Sequence, residues 1–133
     1  MGVVAMAAKL KYSEDHLWVR VDDTRAQLGI SEYGQADLGE VIAIEIPDIG
    51  DELERGEAFG EIESTRTVVE LVAPVSGVVT AINGDLEENP VLVNDDPLRE
   101  GWLVEIELND EAELEDLMEP DEYEDFASHV DAD

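Results

Sequence analysis

Short apolar segments separated by turn signals constrain this chain more than any other feature. They fall at residues 18–21, 26–30, 41–46, 58–62, 68–72, 78–82 and 103–108. Each has the alternating or continuous apolar character of a strand. Between them lie Asp22-Asp23, Pro47-Asp48-Ile49-Gly50, Arg55-Gly56, Pro74 with Ser76-Gly77, and Asn83-Gly84. Gly and Asn-Gly in such places supply turn conformations. Many short strands at this spacing predict a mainly β fold, an antiparallel sandwich or barrel. No helix-length segment separates the strands, which argues against a parallel βαβ sheet.

Three stretches carry helical spacing. Residues 31–38 begin on Ser31, a good N-cap, and end at Gly39. Residues 111–118 follow Asn109 and Asp110, either of which can cap them, and Leu114, Leu117 and Met118 share a face. Pro120 suits the first turn of a last helix over 121–130, where Tyr123, Phe126, Ala127 and Val130 recur every three or four residues. Residues 1–8 read as flexible and 131–133 as a frayed tail. At 133 residues with no long linker, the chain reads as a single domain, 1–133.

The charge excludes several functions. Asp and Glu number 36 against 7 Lys and Arg, a net charge of −29. Such a field repels nucleic acid and anionic membranes, so neither is expected as a partner. It reads first as an acid-rich solvated surface and second as a face for a basic partner. No cysteine is present, which removes disulfides, thiolate metal sites and a cysteine nucleophile. No secretory leader is read at the start. A cytoplasmic location is the expectation. Lys9 and Lys11 are the only lysines.

Most candidate motifs read as structural. Gly77 in Val75-Ser76-Gly77-Val78-Val79 is expected to take a backbone conformation that other residues resist. Asp15-His16, beside Ser13, has poor dyad geometry, because neighbours on a strand point to opposite faces. His129 lies in the acidic tail and reads as solvated. The acid pairs Asp95-Asp96, Glu87-Glu88 and Glu61/Glu63 lack the spacing and glycine of a calcium loop. No phosphate-binding loop is present. The run Glu63-Ser64-Thr65-Arg66-Thr67 reads, on its own, as an exposed charged hairpin between two strands.

In combination these segments resemble the H protein of the glycine cleavage system. Leu10-Lys11-Tyr12-Ser13 leads into His16-Leu17-Trp18-Val19. Gly29-Ile30-Ser31-Glu32-Tyr33-Gly34-Gln35 is followed by Leu38-Gly39-Glu40-Val41. Phe59-Gly60-Glu61-Ile62-Glu63-Ser64 enters the hairpin and Ala73-Pro74-Val75-Ser76-Gly77 leaves it. Asn89-Pro90, Leu92-Val93-Asn94, Asp96-Pro97 and Gly101-Trp102-Leu103 complete the order. The resemblance spans about residues 10–130. It implies a lipoyl-domain-like antiparallel β-sandwich, a barrel-sandwich hybrid, with short helices and a C-terminal helical extension.

The resemblance also implies a carrier rather than an enzyme. In the family, a lipoyl group on one lysine takes aminomethyl from glycine decarboxylase and delivers it to aminomethyltransferase. Dihydrolipoyl dehydrogenase then reoxidises the dithiol. That lysine aligns with Arg66, within the hairpin of Glu63, Ser64, Thr65 and Thr67. Attachment needs a neutral primary amine. Guanidinium stays charged and its lone pairs are delocalised, so it is a poor nucleophile. A family glutamate that shelters the loaded arm aligns with Leu17, which cannot pair with a cation. Glu70 matches an acidic family position near the arm. The expectation is therefore no catalytic residue, no metal and no lipoate. The chain would be a non-carrier scaffold or regulator docking on those three enzymes or on lipoate-handling enzymes. The alternative is a functional or engineered-variant carrier.

Overall fold

A computed structural model describes residues 9–131. The expectations for 1–8 and for the tail after Asp131 lie outside the described residues, as does the side chain of His129. Among the described residues nine strands form two antiparallel sheets. The larger runs in the order β1-β2-β3-β9-β8-β5. Its members are β1 (Lys9–Tyr12), β2 (Leu17–Asp22), β3 (Arg25–Ile30), β9 (Val104–Leu108), β8 (Gly77–Ile82) and β5 (Glu52–Leu53). The smaller sheet is β4 (Val41–Glu45), β6 (Ala58–Ser64) and β7 (Val68–Val72), with β6 in the centre. This is the expected lipoyl-type sandwich. The segments read as strands are all strands here. β1 and β5 are additional.

Side-chain alternation explains the layers. On β2, Leu17, Val19 and Val21 enter the core between the sheets. Ile62 and Leu71 meet them from the smaller sheet, and Leu28, Val104 and Ile106 from the larger. Trp18 faces the other way, into a second cluster with Tyr12, Tyr123 and Ala127. That cluster seats the C-terminal helix α4 (Pro120–Asp131) on the outside of the larger sheet. The Trp18 indole is fully buried and donates to the Pro97 carbonyl at 2.8 Å.

Helix α1 (Glu32–Leu38) forms as expected. The Ser31 hydroxyl accepts from the Gly34 amide at 3.0 Å, and Gly39 ends the helix with φ 81°. Two one-turn helices, α2 (Asp85–Glu88) and α3 (Leu92–Asp95), lie where no helix is expected. The segment 111–118 differs in kind. It is a 3₁₀ helix over Glu111–Asp116, capped by Asp110. Four of its six residues are acidic, so in an α-helix like charges would meet three and four positions apart, as at Glu111 and Glu115. Beyond it, Met118 exchanges two backbone bonds with Tyr12, which holds the chain extended. Asp15 and His16 lie in the β1–β2 turn rather than on a strand. His16 takes a left-handed φ of 67°. Gly77 is needed for a different reason than expected. A Cβ there would strike the Glu107 carbonyl of β9, so close strand approach excludes a side chain.

Candidate functional site

The β6–β7 hairpin builds the site from backbone bonds. The Ser64 amide donates to the Thr67 carbonyl at 2.9 Å and closes the turn. The Ser64 hydroxyl, nearly buried, accepts from the Arg66 and Thr67 amides at 3.2 Å each. It also donates to the Leu38 carbonyl at the end of α1, at 2.6 Å. The Thr65 amide donates to the Glu40 carbonyl at 2.9 Å. One serine thus folds the tip and ties it to the helix end.

Arg66 is exposed at this tip. Its side chain runs over Gly39, where an added Cβ would come within 3.1 Å of the Arg66 Cγ. Its guanidinium makes a long contact, 3.4 Å, with the Asp37 carbonyl. A cation beside the carbonyls of a helix C-terminus is favourable. The seat itself is held by Asn94 of α3. Its side-chain amide donates to the Gly39 carbonyl at 2.8 Å and to the Gln35 side chain at 3.0 Å. Its carbonyl accepts from the Val41 amide at 2.8 Å. Asn94 appeared in the sequence only within the family order; its link to Val41, 53 positions away, has no local signature.

The outer face below the tip is acidic. Glu45, Glu61 and Glu70 stand directly across from one another on the three strands, all exposed. The next row holds Ala43, Glu63 and Val68. Ile42, at the irregularity in β4, is 53% exposed and Val68 56%. Like charges in a cross-strand row cost stability, so this face is not explained by folding.

Leu17 lies apart from this tip. It is 1% exposed and packs in the main core. It pairs with Ile30, next to the N-cap of α1, whereas Arg66 sits at the opposite end of that helix. Seven residues separate the ends by about 10 Å. The alternation Leu17, Val19, Val21 marks an inward face and could have placed Leu17 from the sequence.

The hairpin offers no primary amine, so it does not fit an amide-linked arm. Lys11 on β1 is tied to Glu119 at 3.7 Å, with its side chain only 18% exposed. No cluster of His, Cys, Asp or Glu among the described residues suits a metal ion. No helix among them is long and apolar enough to cross a membrane.

His16 also has a role that the sequence concealed. Its Nδ1 lies 2.6 Å from the Tyr123 hydroxyl, which lies 2.5 Å from the Ser31 hydroxyl. The chain links the β1–β2 turn, α4 and the cap of α1. Two of its members are 107 positions apart, beyond any local motif.

The two sheets and the anchored hairpin define a lipoyl-type β-sandwich that presents a turn rather than a cleft. The glycine cleavage H-protein family model matches residues 10–130. The chain belongs to that family. It is 44% identical over 120 residues to the glycine cleavage system H protein of Staphylococcus haemolyticus, covering 90% of this chain and 95% of that protein. The Brevibacillus brevis H protein is 47% identical over 115 residues, covering 86% and 91%. The crystal structure of the Mycobacterium marinum H protein superposes with a TM-score of 0.83 at 28% identity, covering 90% of this chain and 97% of that one.

Proposed function

We propose that this chain is an H-protein-like module that does not carry lipoate. The observation behind this reading is Arg66, in the place where the family resemblance puts its lipoyl-lysine. Acylation needs a primary amine that can lose its proton; guanidinium does not meet that need near neutral pH. Arg66 preserves charge and reach, and the helix end accommodates both. The chain is then a docking protein without a reaction of its own. Its partners are glycine decarboxylase, aminomethyltransferase, dihydrolipoyl dehydrogenase or a lipoate-handling enzyme. The binding surface is the tip with the Glu45, Glu61 and Glu70 row, which suits a basic partner.

A second reading is a carrier altered at one position. It draws support from Leu17, whose burial gives that residue a packing role and leaves Arg66 as the one departure at the tip. Glycine-dependent exchange with the partner enzymes separates the two readings. The arginine form should give no exchange yet compete with a lipoylated H protein for its enzymes. Glu61→Lys should relieve that competition. Turnover by the arginine form would overturn the proposal. Full activity of Arg66→Lys, with no competition by the arginine form, would favour the second reading.

A further inference from the structure

The edges of the two sheets are not finished alike. β1 is bridged at Tyr12 by Met118, and β5 is only two residues long. β4 is irregular at Ile42, and its first amide is taken by Asn94. Soluble proteins blunt edge strands in such ways, because an open edge presents unpaired backbone groups to another strand. β7 lacks these devices. It runs five residues, Val68–Val72, without proline or lysine, and the extra residue of the β6–β7 pair, Phe59, lies on β6. Val68, Val69 and Glu70 are exposed in succession. Among the described residues no strand pairs with its outer side.

The register fixes which groups are free. The Ser64 amide bonds the Thr67 carbonyl, so these two form a bonded pair. Antiparallel pairs alternate, which makes Val68 opposite Glu63 unbonded, Val69 opposite Ile62 bonded, and Glu70 opposite Glu61 unbonded. The N–H and C=O groups of Val68 and Glu70 therefore point away from β6. Their side chains share the outer face, one apolar and one acidic. The Glu45, Glu61 and Glu70 row ends at this edge. A cation on a fourth strand, opposite Glu70, would relieve that row of like charges. Past β7, residues Val72, Ala73 and Pro74 line a cavity of about 320 Å³ with the exposed Glu14 and Asp15. Arg55, also in its lining, is already paired with Asp116 at 2.7 Å. A second copy of the chain would bring its own net charge of −29 and be repelled.

We infer that β7 takes an extended basic segment of a partner protein as a fourth strand of the smaller sheet, which rests on the docking role proposed above. A lysine or arginine of that segment stands opposite Glu70 and an apolar residue opposite Val68. Main-chain bonds supply affinity and the alternate side chains specificity. The probe is the capped peptide Val-Thr-Lys-Thr-Val, whose pattern reads the same in either direction. It is titrated at constant ionic strength and followed by amide NMR and hydrogen exchange. Saturable binding should slow exchange at Val68 and Glu70 and leave Val69, whose amide already faces β6, nearly unchanged. Glutamate in place of the peptide's lysine should weaken binding about fivefold or more. Glu70→Lys should do the same. Glu124→Lys, an equal change of net charge at an exposed position on α4, should have little effect. Binding without slowed exchange at Val68 and Glu70 would overturn strand addition yet leave the docking role standing, since competition for the partner enzymes tests that role separately. No saturable binding, or equal losses in the two charge variants, would overturn the inference too. Slowed exchange that grows with protein concentration alone would overturn the basic partner in favour of a second copy.

Discussion

The two ends of α1 are built by opposite means. At its C-terminal end the hairpin tip rests on backbone bonds and on Ser64 and Asn94, while the side chains of Thr65, Arg66 and Thr67 stay exposed. At its N-terminal end the structure rests on side chains: Leu17 in the core, and Tyr12, Tyr123 and His16 in a linked aromatic cluster. The first end can change its chemistry without changing its shape. The second cannot. That difference explains how the tip can present an exposed arginine without disturbing the fold.

Substitutions can break this contrast. The largest effect is expected for Leu17→Glu, which would place a carboxylate in an apolar core with no partner. A loss of about 4 kcal/mol or more, or failure to fold, is expected in urea denaturation. Tolerance of the glutamate would mean that position 17 opens onto an accessible cavity, as the family resemblance implied. Asn94→Ala should cost about 2–3 kcal/mol, because the Val41 amide and Gly39 carbonyl lose their partner. The same variant should loosen the tip, read as faster amide exchange at Thr65. Arg66→Lys should alter stability by less than about 0.5 kcal/mol, since the side chain is exposed and keeps its charge.

The smallest effect concerns alkaline pH. Tyr12 in the folded protein has a phenol raised above 10.0, mainly by burial and then by Glu32. The folded state therefore favours the protonated ring. That contribution is fully present below pH 10 and is lost as pH rises through the raised value. Tyr12→Phe should flatten this part of the stability profile. An unchanged slope would remove Tyr12 as its source.

The sheets were legible because alternation survives in a sandwich with one buried face per strand. α1 was legible because Ser31 caps it locally and Gly39 ends it. The short β5 and the one-turn helices were not, since two to four residues carry no period. The site was legible in part. Arg66 and its hairpin stand out as an exposed charged turn. Their seat does not, because Asn94 acts across the fold, and the His16–Tyr123 link joins the two ends of the chain. Leu17 carries a second signal beside its family position: the inward alternation of its own strand packs it in the core.

Lipoate attachment at position 66 is most directly read by intact mass after co-expression with a lipoate ligase. The arginine form should keep its unmodified mass, and Arg66→Lys should gain one lipoyl group mapped to residue 66. A lipoyl gain on the arginine form would contradict the proposed non-carrier role.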